Sequence, residues 1–171
     1  FGRIEDFIEY YAFTNKVDGL PNRAKCDQFI ASREGRPLSE SFTCIVCRLG
    51  NLQSENVRLG REAGDQMLRD FAGMLTSIFP PSDKLFVGNN GAGQYLVFVE
   101  SLEPEQAEAA LFQIQVALEQ KSQGRGYRLE LQHGFAQAGA DQCYYIRELL
   151  SAAIRRVGAA GPKARAEAGR K

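Results

Sequence analysis

The sequence predicts an α+β domain in which helices cover an antiparallel β-sheet. One observation is the order of its segments, which reads helix, helix, strand, helix, helix, hairpin, helix, strand, helix. Another is a pair of apolar runs around a polar, glycine-bearing segment at residues 88–94, which indicates a β-hairpin. The third is size, because 171 residues that are 44% hydrophobic suffice for one domain with a sizeable core.

The charge composition excludes a general attraction to nucleic acid or to a membrane surface. Lysine and arginine together number 21, and so do aspartate and glutamate, so the net charge is zero. No apolar run approaches the roughly 18 residues of a membrane span. Because the chain begins at Phe1, we expect an excised piece of a longer protein. We expect a cytoplasmic location, with the cytoplasmic part of a membrane-anchored protein as the alternative.

The four cysteines are too few and too scattered for a disulfide framework, which suits a reducing compartment. Cys44 and Cys47 form a CxxC pair, which also occurs in zinc and redox sites. They lie in a segment with strand character, however, and residues three apart on a strand point to opposite faces. The sequence therefore predicts buried structural thiols.

Residues 1–15 predict a helix with a heptad-like apolar seam. The seam residues follow at spacings of three, four and three: Phe1, Ile4, Ile8 and Tyr11. Two interpretations stay open, since the seam could pair with a second copy or pack on its own domain. We divide the chain into a signalling or linker helix over 1–15, a domain over 16–160, and a tail over 161–171 with little apolar content.

The first half of the domain alternates turn and helix signals around one strand. Turn residues at 18–22 precede a helix over 24–32, and a polar loop follows over 33–40. Residues 42–49 predict a strand whose even-numbered residues share one face and whose odd-numbered residues share the other. A short helix over 51–59 ends at Gly60, and a longer one runs from Gly64 to the Pro80–Pro81 pair.

The second half begins with the hairpin and a helix over 103–121. Residues 127–136 alternate apolar and polar side chains, which predicts a strand, and residues 139–141 turn the chain. A last helix spans 145–157. Its inward-facing residues are expected to be Ile146, Leu149, Leu150, Ala153 and Ile154.

Several motifs resemble those of the GGDEF domain family over about residues 15–157. VDGLPNR at 17–23 resembles the family's LTGLPNR, and GREAGD at 60–65 resembles its GHxxGD. GAGQY at 91–95 takes the place of the GGDEF pentapeptide, and HGFA at 133–136 resembles a later SxGxA strand. The order and spacing of these motifs identify the chain as a degenerate member. The resemblance implies a ferredoxin-like fold, similar to nucleotidyl cyclases and polymerase palms.

Active GGDEF domains are diguanylate cyclases, which join two GTP molecules into cyclic di-GMP with magnesium ions held by carboxylates. By the resemblance, Arg48 and Gly93 stand at the two metal-binding positions, and Gln94 replaces the pentapeptide's glutamate. Losing this metal clamp should cost several kcal/mol, or at least roughly a thousandfold in rate. We therefore expect no magnesium and no cyclisation.

Other family positions remain. Asn56 and Asp65 match the pair that hydrogen-bonds the guanine edge, and Gly91 and Ala92 complete the implied nucleotide-binding set. Alternatively, Asp65 caps a helix beginning at Gln66, and Asn56 is an ordinary turn residue. The family's inhibitory RxxD site, expected at residues 82–85, is absent, and its late lysine falls near residues 161–163.

The resemblance implies a catalytically inactive regulatory module of a larger bacterial cyclic di-GMP signalling protein. Expected partners are neighbouring domains of the same chain, a second copy bound through the N-terminal helix, and a guanine nucleotide. A second hypothesis is a GTP-sensing domain in which Arg48 replaces magnesium as the countercharge to phosphate. A third is a weakly active diguanylate cyclase.

Overall fold

A computed structural model describes residues 2–158 of the chain. Its helices are α1 (Gly2–Phe13), α2 (Arg23–Arg33), α3 (Leu52–Leu59), α4 (Arg61–Ile78), α5 (Pro104–Arg125), α6 (Ala138–Asp141) and α7 (Ile146–Val157). Its strands are β1 (Thr43–Leu49), β2 (Leu85–Gly91), β3 (Gln94–Val99) and β4 (Leu131–Gln137). All paired strands are antiparallel, in the order β2-β3-β1-β4. The predicted α+β class and antiparallel sheet are confirmed.

Helices cover both faces of the sheet, so the domain has two apolar cores. The larger core joins one face to α4 and α5, and the other core joins the opposite face to α2 and α7. The predicted alternation along β1 is confirmed, because Ile45 and Cys47 lie in the first core while Cys44 and Val46 lie in the second. Such two-sided burial makes β1 the centre of the domain.

The cysteine prediction is also confirmed for the described residues. Cys44 and Cys47 are fully buried on opposite faces of the sheet, and Cys26 is buried in α2. Burial raises the pKa of Cys47 and of Cys26 to about 12, and it raises the pKa of Cys44 as well. Thiolates are the reactive form, so these three side chains should be chemically inert.

We predict that a thiol reagent such as Ellman's reagent titrates a single cysteine in the folded protein at neutral pH. Cys143 is the half-buried cysteine, whereas the other three are buried, and burial raises the pKa of their thiols. The absorbance of the released chromophore should rise to all four thiols only in denaturant. Rapid reaction of two or more thiols in native buffer would contradict the buried assignment.

The hairpin differs from the predicted one in the length of its strands. Residues 88–94 were expected to connect the strands, but β2 continues to Gly91, which pairs with Gln94. Only Ala92 and Gly93 form the turn. A register shift between Asn89 and Gly91 produces a bulge, which accommodates one extra residue in β2. Polar side chains in this segment therefore belong to a strand.

Two further boundaries differ from the prediction. The long helix α4 begins at Arg61, because Gly60, with a φ of 95°, interrupts the helical conformation between α3 and α4. The strand β4 begins at Leu131 instead of Tyr127, because the preceding backbone binds side chains of the α3 region. Specifically, the N–H groups of residues 128 and 130 donate to the side chains of Glu55 and Asn51.

The last predicted helix is confirmed, with one error in its buried face. Ile146, Leu149 and Ala153 are buried against the sheet as expected. Ile154 was expected to face inward, but it is 41% exposed. Ala152 and Val157 are buried instead, so the contacting stripe of α7 is rotated from the predicted one.

The seam side chains of α1 do not pack on the domain. Ile4, Ile8 and Tyr11 are 65%, 61% and 53% exposed, so the interpretation that this seam is buried on its own domain is wrong. Phe1, the tail over 161–171 and the expected late-lysine position lie outside the described residues. Among residues 2–158, no helix is long and apolar enough to cross a membrane.

The ionisation of Glu55 gives a prediction for stability against pH. Hydrogen bonds from Arg58 and from the Arg128 N–H lower the pKa of Glu55 from 4.5 to about 2. Because the pKa is lower in the folded state, ionised Glu55 stabilises the fold above pH 4.5, and this contribution disappears as the pH falls towards 2. We expect Glu55→Gln to cost about 1 kcal/mol at pH 7.

Urea unfolding of the parent and of Glu55→Gln at pH 7 and pH 3 measures this effect. The difference in unfolding free energy between the two proteins should shrink at the lower pH. An equal difference at both pH values would show that the carboxylate charge does not contribute.

Candidate functional site

Arg48 lies at the C-terminal end of β1, between Gln94 of β3 and Gln132 of β4. Its Nε donates to Gln132 Oε1 at 2.8 Å, and its Nη2 donates to the same oxygen. The side chain is exposed, and among the described residues no carboxylate oxygen lies within 4.0 Å of it. The position at which the family resemblance expects a metal ligand thus holds an unpaired positive charge.

The hairpin turn packs against the end of β1. Gly91, Ala92 and Gly93 have φ values of 88°, 53° and 78°, a region that favours glycine. The Leu49 N–H donates to the Gly93 carbonyl at 3.0 Å. A Cβ added at Gly93 would lie 3.3 Å from both the Leu49 carbonyl oxygen and Leu52 Cδ2. An acidic side chain at Gly93 would therefore strain the backbone and displace its neighbours.

Gln94 adjoins this turn on the same strand as Tyr95. Its Oε1 accepts a hydrogen bond of 2.8 Å from Asn90 Nδ2, across the bulge of β2. Asn90 Oδ1 is buried without a hydrogen-bond partner among the described atoms. The pentapeptide segment consequently presents a neutral amide at Gln94 and no side chain at Gly93, where the family resemblance expects carboxylates.

Asn56 and Asp65 lie on adjoining helices, α3 and α4. A Cβ added at Gly64 would lie 1.8 Å from Asn56 Oδ1, so the asparagine side chain rests directly on the glycine. Asp65 follows that glycine and is half-buried. Within the described part of the chain, neither side chain makes a hydrogen bond or an ion pair with another residue. Both remain free to bind a ligand.

The alternative roles for this pair are wrong. Asp65 was expected to cap a helix beginning at Gln66, but α4 begins four residues earlier than Asp65, at Arg61. Asn56 was expected in a turn, but it lies within α3. A larger residue at Gly64, the residue before Asp65, would require the exposed Asn56 side chain to move.

The helix α3 connects the two parts of the site. Leu52 lies beside the hairpin turn at Gly93, and Asn56 follows one helical turn later, about 6 Å along the axis. The structure therefore joins Arg48, Gln94 and the turn at one end, with Asn56 farther along α3 and Asp65 on the adjoining α4. Among residues 2–158, no three His, Cys, Asp or Glu side chains are grouped so that they could hold a metal ion.

Sequence reasoning missed two contacts near the site. Gln132 was not singled out, because its position opposite Arg48 depends on the register of β4. Asp18 was treated as a turn residue, yet its carboxylate accepts hydrogen bonds from Asn89 Nδ2 at 2.8 Å and from the Tyr95 hydroxyl at 3.3 Å. Burial and this neighbouring carboxylate raise the pKa of Tyr95. These hydrogen bonds hold the turn after α1 against the β2–β3 hairpin.

A four-stranded antiparallel sheet between two helical layers, with a hairpin turn against the end of its central strand, defines a class of α+β domains. The sequence matches the model of the family described as "Diguanylate cyclase, GGDEF domain" over residues 12–165. The chain belongs to the GGDEF domain family. No curated protein sequence matches it significantly.

Solved structures of GGDEF proteins share the fold. The coiled coil and GGDEF domain of DgcB from Caulobacter crescentus, in complex with c-di-GMP, has a TM-score of 0.70 at 16% identity, covering 92% of this chain and 86% of that one. The FimX GGDEF domain from Pseudomonas aeruginosa has a TM-score of 0.58 at 21% identity, covering 84% and 94%.

A longer relative is the S helix-GGDEF-EAL part of LapD from Vibrio cholerae. Its apo structure has a TM-score of 0.73 at 14% identity, and 92% of this chain covers 36% of that one. The chain therefore spans about a third of the LapD chain that it matches. These likenesses confirm the predicted GGDEF fold.

Proposed function

We propose that this domain does not convert GTP to cyclic di-GMP, and that it serves as a regulatory module of a larger cyclic di-GMP signalling protein. The observation that supports this most strongly is Arg48 at the end of β1, flanked by the neutral Gln94 and Gln132. A guanidinium at the expected metal position repels a divalent cation and supplies no oxygen ligand.

The turn adds a second obstacle to catalysis. Gly93 has no side chain, and its positive φ and close neighbours disfavour a carboxylate there. Triphosphate chemistry depends on metal ions that neutralise the charge of the reacting phosphates. Without them, the rate should fall by at least roughly a thousandfold relative to an active domain.

The experiment is an assay for cyclic di-GMP, by chromatography and mass spectrometry, after incubation of the purified domain with GTP and magnesium. An active diguanylate cyclase at the same concentration serves as the reference. We expect no product above the protein-free blank. Product that increases with protein concentration and disappears in Asp65→Ala would establish the alternative of a weakly active cyclase.

The regulatory role is supported by the exposed apolar residues of α1. We propose that two copies pair through this helix, as its seam residues Ile4 and Ile8 remain largely exposed. Neighbouring domains of the same chain would then be coupled through α1. Analytical ultracentrifugation of Ile4→Asp/Ile8→Asp should show monomers at concentrations where the parent dimerises.

We also propose a cytoplasmic location, since three buried free thiols suit a reducing compartment.

A second candidate function is guanine-nucleotide sensing, which the free side chains of Asn56 and Asp65 favour. A carboxylate can accept hydrogen bonds from the guanine N1–H and N2–H₂ groups, whereas adenine offers no such pair. Calorimetry should therefore show binding of GTP but not ATP, with loss of heat in Asp65→Ala. Asp27→Ala, on the exposed side of α2, is the matched control. Absence of heat with millimolar GTP would eliminate the sensor and leave the structural role.

A further inference from the structure

Three neighbouring side chains present one polar surface at the end of the sheet. Gln94, Arg48 and Gln132 are direct register partners on β3, β1 and β4, so they project on the same face. Directly opposite residues on paired strands have Cβ atoms about 5 Å apart. Arg48 is exposed, and both glutamines are partly exposed. A ligand in solvent can reach all three.

In this group the side-chain oxygens already accept hydrogen bonds, whereas several side-chain N–H groups remain unbonded. Gln132 Oε1 accepts two bonds from Arg48, and Gln94 Oε1 accepts one from Asn90. The Nη1 edge of Arg48 and the Nε2 amides of both glutamines make no bond within the described residues. The unbonded side-chain nitrogens of the cluster are all hydrogen-bond donors, and the remaining side-chain acceptor is the second lone pair of Gln94 Oε1.

The Gln132 amide lies against Gly50 and accepts hydrogen bonds from Arg48. A Cβ added at Gly50 would lie 3.2 Å from Gln132 Cδ, so the glutamine side chain lies across this glycine. The bond to Gln132 in turn orients the guanidinium, and its other edge stays open. A planar guanidinium edge matches two oxygens of a phosphate, and its charge has no carboxylate partner here.

We propose that Arg48, Gln94 and Gln132 bind the phosphate groups of a diphosphate or triphosphate without a divalent cation. The proposal deepens the proposed function and rests on it, because the guanidinium replaces the charge that a metal would supply. A free inorganic diphosphate and the diphosphate of a nucleotide share this chemistry. Binding should weaken with ionic strength, since the contact is charged and solvent-exposed.

The test is calorimetry in EDTA at low salt, with inorganic diphosphate, GDP and GTP as titrants. We expect heat with at least one titrant, and an affinity at least about tenfold weaker in Arg48→Gln. The matched control is Arg36→Gln, an exposed arginine in the loop before β1, at the other end of the sheet. Arg48→Lys should fall between the parent and Arg48→Gln, because it keeps the charge and loses the fork.

The titrants also distinguish a free inorganic diphosphate from the diphosphate of a nucleotide as the ligand. Tighter binding of GDP or GTP than of inorganic diphosphate supports a nucleotide ligand, and equal affinities support a free diphosphate. Binding that requires magnesium, that is unchanged in Arg48→Gln, or that is absent at millimolar titrant would overturn the proposal. Thermal unfolding of Arg48→Gln verifies that the variant is folded. If the diphosphate-binding test fails and the product assay shows no cyclic di-GMP, the proposed function remains intact. If the product assay shows cyclic di-GMP, the proposed function itself is overturned.

Discussion

Replacing Gly134 with alanine is expected to destabilise the domain by about 3 kcal/mol, the upper part of the range for overpacked cores. A Cβ at this position of β4 would lie 2.6 Å from the Ala153 carbonyl oxygen and 2.8 Å from backbone atoms of Arg156 and Val157. Backbone atoms of a helix cannot yield as the end of a flexible side chain can. The substitution would therefore push α7 away from the sheet that it covers.

The matched control is Gly124→Ala in α5, where an added Cβ meets no atom within 4 Å. This change should leave the free energy of unfolding equal or raise it by about 0.5–1 kcal/mol, because alanine favours helix over glycine. Urea unfolding followed by circular dichroism measures both variants. A loss below about 0.5 kcal/mol for Gly134→Ala, within the range of ordinary surface substitutions, would contradict the close packing of α7 on β4.

Introducing both carboxylates, as Arg48→Asp/Gly93→Asp, is expected to increase the affinity of the domain for divalent cations. The two positions adjoin, since the Gly93 carbonyl accepts from the N–H of Leu49, the residue after Arg48. Two carboxylates replace one positive charge, so Mn²⁺ binding should strengthen at least about tenfold. Titration of Mn²⁺ followed by electron paramagnetic resonance measures the free ion directly.

The control for this variant is Arg48→Asn/Gly93→Asn, which has nearly the same shape and no negative charge. Both double variants should lose about 1–2 kcal/mol of stability, because residue 93 adopts a positive φ and lies against Leu49 and Leu52. Only the aspartate pair should gain cation affinity. Equal Mn²⁺ binding by the parent and the aspartate variant would mean that the missing carboxylates are not the limiting feature.

Periodic patterns in the sequence were enough to predict the sheet and its helical layers. The alternation at residues 42–49 predicts the two faces of β1, because both sides of that strand are buried. The apolar stripe of α4 is similarly visible, and Met67, Phe71 and Leu75 are fully buried. In these elements, local pattern and tertiary burial agree.

Boundaries that depend on contacts between distant residues could not be predicted. The start of β4 depends on Asn51 and Glu55, which bind the backbone near residues 128–130 from more than 70 positions away in the sequence. The turn at Ala92 was obscured because Asn89 and Asn90 resemble loop residues, while their bonds to Asp18 and Gln94 hold them in β2. Polar composition alone does not reveal such partners.

The roles of the candidate site residues stay predictions. The resemblance identified Arg48, Gly93, Asn56 and Asp65, but it did not reveal that Arg48 binds Gln132 or that Asn56 rests on Gly64. Both contacts arise from register and helix packing, which the order of motifs does not specify. That Arg48 and Gly93 replace metal ligands therefore stays a prediction of the resemblance, and the structure adds the contacts that these two residues make.

The most direct test of the proposal that this site is inactive is a crystal soaked with Mn²⁺ and a non-hydrolysable GTP analogue, measured at a wavelength where manganese scatters anomalously. We predict no anomalous peak between Arg48 and the turn at Gly93. Two manganese ions seated there, bridging protein oxygens and the phosphates of the analogue, would contradict the assignment of this domain as unable to cyclise GTP.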